Sequence, residues 1–544
     1  MARRIVRTLI QFTVLSVVIA VIIFFLDIRY QLLPQRLHEL LPEHHAGHVL
    51  TDINYLSCTK LSACQMNAEE GWVRNKDVYL DQSWVSQGYL HYKRIKEEHF
   101  NAAQGDRVIV DIRVGRLQPS PAEGAGDKNI EWEPRPGGIW IKRQPKMIDS
   151  AVTALDVLFG HDAVEVRPGW TLKENELTVG NNHARITVRR GRPQAVKKPV
   201  VRMRSDHKLK IIQISDLHLS TGTGLCREPE PANTEAGCEA DPRTLQFITR
   251  ILDDEKPDIA VLTGDQVNGE TAPDAQTAIY KFAAPFIERK IPFATILGNH
   301  DDEGNLLREQ IMKLTTALPY SLSELGPQMG EMIKSHNKHI QREGGVGNYV
   351  VEILAHKNDH SAATLYFMDT HSYSPDPKVD GYDWIKDYQI DWFKEKHKSL
   401  QVEHNKYAFT HLDLSFIHIP LPEYRSKDMP IVGEWREGVT APHHNSGFKD
   451  ALVEAGVHVV SAGHDHANDY CMFDKQGIWM CYAGGSGFGG YGGYNKYNRR
   501  VRLFEIDAPL GRIRTWKRLE WEDSGPVDVQ TIVEAGKPVV PHVA

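Results

Sequence analysis

The chain has 544 residues, of which 41% are hydrophobic and 25% charged, with a formal net charge of -7 at pH 7. This length and hydrophobic content suffice for two domains with sizeable cores. The negative charge and the lack of a basic run argue against nucleic acid as a partner.

The amino-terminal end of the chain carries a long apolar run. It begins at Leu9, continues through eighteen nearly unbroken apolar residues, and ends at Asp27. Such a run is just long enough to span a bilayer. Three arginines precede it, so the positive-inside rule predicts a cytosolic tail over residues 1–8 and places everything after Ile28 in the lumen or outside the cell.

A cleaved signal peptide is the alternative interpretation of this run. Its apolar core is usually shorter, and no small-residue cleavage site follows here. We therefore favour an uncleaved signal anchor over residues 9–28, followed by a linker over residues 29–50. These features predict a single-pass type II protein of the endomembrane system. The chain contains no Asn-x-Ser/Thr acceptor, so glycosylation gives this location no support.

The six cysteines fall into three pairs of near neighbours, which agrees with an oxidising compartment. The pairs are Cys58 with Cys64, Cys226 with Cys238, and Cys471 with Cys481. The third pair has the best support, because the flanking residues have the pattern of two hairpin strands that would set its cysteines opposite each other. The alternative is three pairs of reduced, buried thiols.

Residues 51–188 contain no recognisable catalytic motif. Residues 106–114 and 184–188 alternate like half-exposed strands, and a Pro/Gly/Glu-rich loop lies between them. We predict a β-rich accessory domain over residues 51–188. A basic, proline-containing linker over residues 189–205 follows it.

Four later runs have the pattern of buried parallel strands, and a polar motif follows each one at once. The motifs are Ile-Ser-Asp-Leu-His-Leu at 214–219, Thr-Gly-Asp-Gln-Val-Asn at 263–268, Leu-Gly-Asn-His-Asp at 297–301 and Ala-Gly-His-Asp-His at 462–466. Helical patterns separate the first three strands. Open α/β sheets place their sites at the carboxyl ends of strands, so we expect these motifs to converge.

The motifs supply carboxylate, imidazole and amide oxygen donors without a thiolate, which favours iron, manganese or zinc. Asp216 and His218 could hold one ion. Asp265 could bridge to a second ion, to which Asn299 offers a carbonyl oxygen. Two ions about 3.5 to 4 Å apart can bind phosphate oxygens, lower the pKa of a shared water and stabilise an in-line displacement. The donor set therefore predicts phosphoester hydrolysis.

Together, the motifs are similar to those of the calcineurin-like metallophosphoesterases. Within this superfamily they most resemble fungal and plant proteins that are related to purple acid phosphatases but lack the iron-binding tyrosine. The resemblance implies an α/β fold, a metallophosphoesterase β-sandwich flanked by helices, here preceded by the transmembrane helix and the smaller β-rich N-terminal domain. We assign this domain to residues 206–521, with a C-terminal tail over residues 522–544.

The resemblance also implies two metal sites that share one aspartate. The first would be held by Asp216, His218, Asp265 and His466, and the second by Asp265, Asn299, His418 and His464. His300 would be the catalytic imidazole that contacts the phosphate and helps to protonate the leaving alkoxide. Asp301 and Asn268 are both candidates to orient it, and we place Asp301 with His300 among the catalytic residues.

Two histidines compete for the ligand on the strand before the last motif. His411 stands at the start of an apolar alternation, whereas His418 stands at its end, just before two prolines. Only His418 fits a ligand at a strand end. The run His-Ile-Pro-Leu-Pro-Glu that it begins is also similar to the family's motif.

Asn268 departs from the pattern of the family's relatives, which have tyrosine or aspartate at this place. Asparagine cannot supply the phenolate that colours purple acid phosphatases, so we predict a colourless enzyme. A glycine-rich run over residues 483–494 follows the last motif and lacks the lysine of a phosphate-binding P-loop. Close passage of the backbone beneath the metals would explain the glycines, with Tyr491 and Tyr494 on the rim; a flexible loop is the alternative.

The sequence thus predicts a membrane-anchored phosphatase with two divalent or mixed-valence ions, which hydrolyses phosphomonoesters by attack of a metal-bound hydroxide. Phosphoproteins are the substrate class that the resemblance implies. A phosphodiesterase or pyrophosphatase is an alternative, because the same two-metal core hydrolyses these bonds. A non-catalytic, membrane-tethered metal-binding module is the third hypothesis, and it predicts no turnover of any phosphoester.

Overall fold

The computed structural model describes residues 47–180, 182–327, 345–492, 497–521 and 525–541. The predicted anchor over residues 9–28 lies outside these ranges. Within them, no helix has the length and apolar character needed to cross a membrane. The chain divides into one unit of Met1–Asp156 with Val188–Pro193, and another of Val157–Thr187 with Gln194–Ala544. Residues 157–187 therefore group with the second unit, whereas the sequence places them in the accessory domain.

The described residues of the first unit form β-strands and short turns. Its strands are β1 (His48–Thr59), β2 (Trp72–Asp77), β3 (Ser86–Lys96), β4 (Val108–Val114), β5 (Glu133–Arg135) and β6 (Ile139–Gln144). Two antiparallel sheets result, with the orders β1-β3-β2 and β4-β6-β5. Val49, Val108 and Val110 are buried together with Ala151 in the core of this unit. The alternation predicted around residues 106–114 corresponds to β4.

Three further strands lie near the boundary of the units along the chain. They are β7 (Val152–Leu158), β8 (Trp170–Glu176) and β9 (Arg185–Arg190). β7 and β9 each pass from one unit into the other along the chain. The sequence boundary at residue 188 therefore falls inside a strand, because the alternation of apolar residues does not stop where the unit changes.

The second unit is a sandwich of two sheets with helices on both outer faces. Its further strands are β10 (Lys208–Ile214), β11 (Ile259–Thr263), β12 (Phe293–Ile296), β13 (Tyr349–Leu354), β14 (Ser361–Phe367), β15 (Leu412–Phe416), β16 (Ile431–Val432), β17 (Val459–Ala462), β18 (Cys471–Asp474), β19 (Ile478–Tyr482), β20 (Arg500–Asp507), β21 (Arg512–Leu519), β22 (Val527–Glu534) and β23 (Lys537–Pro538). Its α-helices are α1 (Ala240–Glu255), α2 (Ala275–Arg289), α3 (Arg308–Thr316), α4 (Asp387–His404) and α5 (Phe448–Glu454). This is the α/β sandwich that the sequence predicts.

The strand orders define sheet I and sheet II. Sheet I has the order β12-β11-β10-β20-β21-β22-β23, and sheet II has the order β13-β14-β15-β17-β19-β18-β16. β10, β11 and β12 pair in parallel, as do β14, β15 and β17. Because parallel strands end at the same edge of a sheet, each sheet collects its motifs at one edge.

Alternate residues of the central strands face two different cores. Ile211 of β10 and Leu365 of β14 belong to the core that lies between the two sheets. Ile212 and Ile214 face the other way and pack with helices α1 and α2. Each central strand is therefore apolar on both faces, which explains the continuous hydrophobic runs in the sequence.

All six cysteines are paired as their spacing predicts. The disulfides join Cys58 to Cys64, Cys226 to Cys238, and Cys471 to Cys481. The third links directly opposed residues of the antiparallel strands β18 and β19.

The carboxyl-terminal residues differ from the predicted tail. β22 and β23 extend sheet I beyond β21. Ile532 and Val533 are fully buried in the core between the sheets. The sequence predicts a tail because the family's motifs end before residue 522, but the apolar side chains of β22 are needed to close this core.

The burial of β22 can be tested by two substitutions on the same strand. Ile532→Ala removes fully buried methyl groups and is expected to lower the free energy of unfolding by about 2–5 kcal/mol. Val529 is 49% exposed, so Val529→Ala is the matched control. It should change the free energy of unfolding by less than about 0.5 kcal/mol. Urea unfolding followed by tryptophan fluorescence measures both. Equal losses would contradict the placement of this strand.

Candidate metal centre

The predicted ligands meet where the parallel strands of both sheets end. Asp216 and His218 follow β10, Asp265 follows β11, Asn299 follows β12, His418 follows β15, and His464 and His466 follow β17. All seven are buried, and none is more than 7% exposed. Sheet I thus contributes the carboxylates and the amide, while sheet II contributes three of the four imidazoles.

Four of these residues have a backbone conformation that side chains other than glycine rarely adopt. The φ angles are 56° at Asp216, 48° at His218, 52° at Asp265 and 77° at His464. Each such conformation costs on the order of 1–3 kcal/mol and persists only where its surroundings fix it. Their concentration here indicates that the loops are held so that the side chains point to a common place.

The first group of side chains is Asp216, His218 and His466, whose candidate ligand atoms lie within 4.8 Å of one another. His218 Nε2 is 3.1 Å from His466 Nε2. His466 Nε2 is 3.5 Å from Asp216 Oδ1. The three side chains could therefore hold one ion.

The second group is Asp265, His418 and His464, with the same spacing of ligand atoms. His418 Nε2 is 3.2 Å from Asn299 Oδ1 and 3.3 Å from His464 Nδ1. Asp265 Oδ2 lies 3.3 Å from His418 Nε2 and 3.8 Å from His218 Nε2. Because this one oxygen lies beside an imidazole of each group, Asp265 can bridge two ions.

Backbone carbonyls fix the tautomers of two imidazoles in a form that suits metal ions. The Nδ1–H of His418 donates to the carbonyl of Thr263 at 2.7 Å, and that of His466 donates to the carbonyl of Tyr491 at 2.8 Å. Each Nε2 then presents a lone pair to the centre. Nitrogen and oxygen lone pairs gathered this closely need a cation among them, so the donor set fits two borderline ions such as iron, manganese or zinc.

The charges of the centre also favour ligation. Burial alone would raise the pKa of Asp265, but the neighbouring His418 and His218 outweigh it and hold this pKa well below its usual range. Burial, reinforced by His466, lowers the pKa of His218 to about 3, and burial with His418 does the same for His464. Burial lowers the pKa of His418, but the charges of Asp265 and Asp216 outweigh it and raise this pKa to about 9. An ionised carboxylate and neutral imidazoles are the forms that bind metal, so an ion would displace the proton of His418.

His300 stands beside the two groups and is partly exposed. Its backbone N–H donates to Asp265 Oδ1 at 2.8 Å, and its Nδ1 lies 2.6 Å from Glu303 Oε2. Burial lowers the pKa of His300, but the hydrogen bond to Glu303 and the charge of Asp265 outweigh it and raise this pKa to about 9. The carboxylate that contacts the His300 ring is therefore Glu303, and among the described contacts neither Asp301 nor Asn268 is bonded to this ring.

Asp301, predicted as a catalytic residue, instead holds the backbone of two loops. Its carboxylate accepts N–H groups from Gly298 at 2.7 Å, Val267 at 2.9 Å and Asp265 at 3.0 Å. Three converging donors occupy both oxygens, which explains why the side chain does not reach the His300 ring. The sequence contains a signal for Glu303, a carboxylate three residues after His300. The intervening Asp301 and Asp302 compete with it, and only the shape of the turn decides between them.

The glycine-rich run passes directly against the ligand loops. A Cβ added at Gly487 would overlap the carbonyl of Leu217, and one added at Gly490 would overlap the rings of His218 and His466. This close approach explains the glycines. It agrees with the interpretation that the backbone passes close to the metal site, and not with that of a flexible loop. Tyr494 lies outside the described residues.

Aromatic side chains flank the ligands on two sides. Tyr491 stacks on His466 with ring centroids 3.9 Å apart, and its hydroxyl donates to Glu437 at 3.1 Å. Tyr382 meets His464 edge to face at 4.5 Å. Sequence reasoning missed Tyr382, because it lies in a long loop without a motif.

Comparison with known proteins shows which family this chain resembles. The family described as Calcineurin-like phosphoesterase matches residues 209–468. "Phosphatase DCR2" of Saccharomyces cerevisiae is 37% identical over 431 residues, which cover 76% of this chain and 71% of that protein. "Probable inactive purple acid phosphatase 14" of Arabidopsis thaliana is 36% identical over 61% of this chain and 86% of its own. A solved dimetal phosphatase from Danio rerio aligns with 60% of this chain and 99% of its own, at 12% identity and a TM-score of 0.40. The family match and the 37% identity to the yeast phosphatase show that the chain belongs to the calcineurin-like phosphoesterase family.

Proposed function

We propose that the protein is a dinuclear-metal phosphatase that hydrolyses phosphomonoesters. The position of Asp265 carries this proposal, because its Oδ2 lies beside an imidazole nitrogen of each ligand group. Two ions bridged in this way would bind the phosphate oxygens and make a water nucleophilic at neutral pH. Membership of a phosphoesterase family and a relative named as a phosphatase support hydrolysis.

Each residue of the centre has a distinct task in this proposal. Asp216, His218 and His466 would hold one ion, and Asn299, His418 and His464 would hold the other, with Asp265 shared. His300 uses Nδ1 to bind Glu303, which leaves Nε2 for the oxygen of the leaving group. Glu303 stabilises the protonated imidazole, so His300 can donate a proton to that oxygen as the bond to phosphorus breaks.

The family resemblance favours phosphoproteins as substrates. The rival functions are a phosphodiesterase or pyrophosphatase and a non-catalytic metal-binding module. The word "inactive" occurs in the names of plant relatives. In this chain every expected ligand position carries a donor, and the donors converge, which supports an active enzyme.

Hydrolysis of p-nitrophenyl phosphate and bis-p-nitrophenyl phosphate by the full chain, loaded with manganese, iron or zinc, tests the reaction. We expect metal-dependent turnover that favours the monoester. Asp265→Ala removes the bridging oxygens and should abolish it. His300→Ala should lower kcat by about 10²–10⁴-fold on an alkyl phosphate such as a phosphoseryl peptide, and much less on p-nitrophenyl phosphate, whose leaving group needs no proton. His99→Ala, at an exposed position of the first unit, is the control and should retain full activity.

Two other outcomes would each assign a different function. Preference for the diester would make the protein a phosphodiesterase. Metal binding without turnover of either substrate, under any of the three ions, would favour the binding module.

The role of Glu303 is tested by the choice of leaving group. Glu303→Gln removes the charge that keeps His300 protonated, so we expect kcat for an alkyl phosphate such as a phosphoseryl peptide to fall about tenfold or more. p-Nitrophenolate leaves without a proton, so its release should slow much less, and KM should change little. Glu309→Gln, at a surface ion pair with Lys313, is the matched control. An equal loss on both substrates would indicate that Glu303 only shapes the loop.

We further propose that residues 9–28 anchor the chain in a membrane, with everything after Ile28 lumenal or extracellular. The three disulfides support this orientation, since such bonds persist in oxidising compartments.

Carbonate extraction and protease digestion of microsomes test the anchor. The full chain with a carboxyl-terminal epitope should stay in the pellet, and the epitope should resist protease until detergent is added. Deletion of residues 9–28 should release the chain, whereas deletion of residues 29–46 should not. An epitope digested without detergent would reverse the orientation, and a wild-type chain in the carbonate supernatant would exclude the anchor.

A further inference from the structure

A second group of histidines and carboxylates lies at the other end of sheet II, away from the metal centre. We call it the distal histidine cluster; it consists of Glu352, Thr364, His404, His411 and Asp413. Within the cluster, the candidate ligand atoms of His404, His411 and Asp413 lie within 4.8 Å of one another. The cluster sits at the amino-terminal parts of β14 and β15, whereas His418 follows the carboxyl end of β15. It is therefore a separate site.

Three members of the cluster form a row across the sheet. Glu352 of β13 is directly opposite Thr364 of β14, and Thr364 is paired in register with Asp413 of β15. Tyr366, two residues after Thr364, packs in the apolar core that this face shares with α4. Two carboxylates in one row of a largely covered face are costly unless positive charge balances them.

Both histidines point their Nε2 atoms into this row. His404 Nε2 is 3.1 Å from Thr364 Oγ1 and 3.5 Å from Glu352 Oε1. His411 Nε2 is 3.0 Å from Thr364 Oγ1 and 3.1 Å from Asp413 Oδ1. Ligands about 2.0–2.2 Å from a tetrahedral zinc ion are roughly 3.3–3.5 Å apart. The two distances from imidazole nitrogen to carboxylate oxygen, 3.5 Å and 3.1 Å, are close to the edges of such a tetrahedron.

The hydrogen bonds of the cluster leave room for a cation among its nitrogen and oxygen atoms. The Nδ1–H of His411 donates to the carbonyl of Ser361 at 3.0 Å, and its Nε2 faces a carboxylate oxygen of Asp413, so a proton or a metal cation must stand between these two atoms. Thr364 has a single hydroxyl proton to share between two imidazoles. His404 is only 4% exposed, and its Nδ1 has no hydrogen-bond partner among the residues that the structure describes.

We propose that Glu352, His404, His411 and Asp413 bind a divalent transition-metal ion, zinc by the nature of the donors, as a third metal site of the chain. Such an ion would tie the last residue of α4 to two strands of sheet II, β13 and β15. The two imidazole rings are stacked, with centroids 3.6 Å apart and planes 15° from parallel. An ion in the plane of both rings requires one of them to turn about its Cβ–Cγ bond.

The zinc content of the full chain tests the site. After reconstitution with zinc and gel filtration, mass spectrometry of the metals should show one ion fewer per chain in His411→Asn and in Asp413→Asn than in the wild type. His397→Asn is the matched control. His397 lies on α4, the helix that ends at His404, and its Nδ1 is bonded to the Tyr366 hydroxyl at 3.0 Å, outside the cluster. It should keep the wild-type zinc content. An unchanged zinc content in both cluster variants would overturn the proposal.

A measurement on the wild-type protein covers the case in which these variants fail to fold. Crystals grown with zinc should show an anomalous scattering peak at the zinc edge between His404 and Asp413. Absence of this peak, in crystals whose catalytic centre contains zinc, would overturn the proposal and assign the balancing charge to protonated imidazoles. Because the peak is observed apart from any turnover, this result is independent of whether the protein is a phosphatase.

Discussion

The candidate centre depends on the packing of two sheets against each other. Asp216 and His218 come from sheet I and meet His466 of sheet II, and Asp265 of sheet I meets His418 and His464 of sheet II. Neither sheet alone holds either group of ligands. The apolar core between the sheets therefore fixes the spacing of the metal-binding atoms, and a change in how the sheets pack would move every ligand pair at once.

Formation of this centre carries several unfavourable contributions to the free energy of folding. Carboxylates and imidazoles are removed from water, and four residues take strained backbone angles. Specific contacts compensate locally: Asp301 accepts three backbone N–H groups, and glycines allow the loops to approach. Gly264, with φ of 93°, lies where a Cβ would overlap His418. The strain is thus distributed over the loops at the strand ends, while the strands themselves remain regular.

Much of this arrangement could be predicted from the sequence, because each motif follows an apolar run that only a buried strand explains. That reasoning places Asp216, Asp265 and Asn299 at strand ends and chooses His418 over His411. It fails where several residues of one kind compete, as among the three carboxylates that follow His300. It also fails where long-range packing decides, as for β22, whose burial depends on the core between the sheets. The division of the chain at residue 157 is a third case, since no change in pattern marks it.

The distance along the chain between the ligands has a consequence for when the centre can form. His218 and His466, whose Nε2 atoms are 3.1 Å apart, are separated by 248 residues. During synthesis the first half of each ligand group leaves the ribosome long before its partner exists. Neither group is complete until the final ligand strand has been made and packed. An ion bound there would consequently be drawn from the compartment in which folding ends, so the metal supply of that compartment, together with the donor atoms, would select the ion.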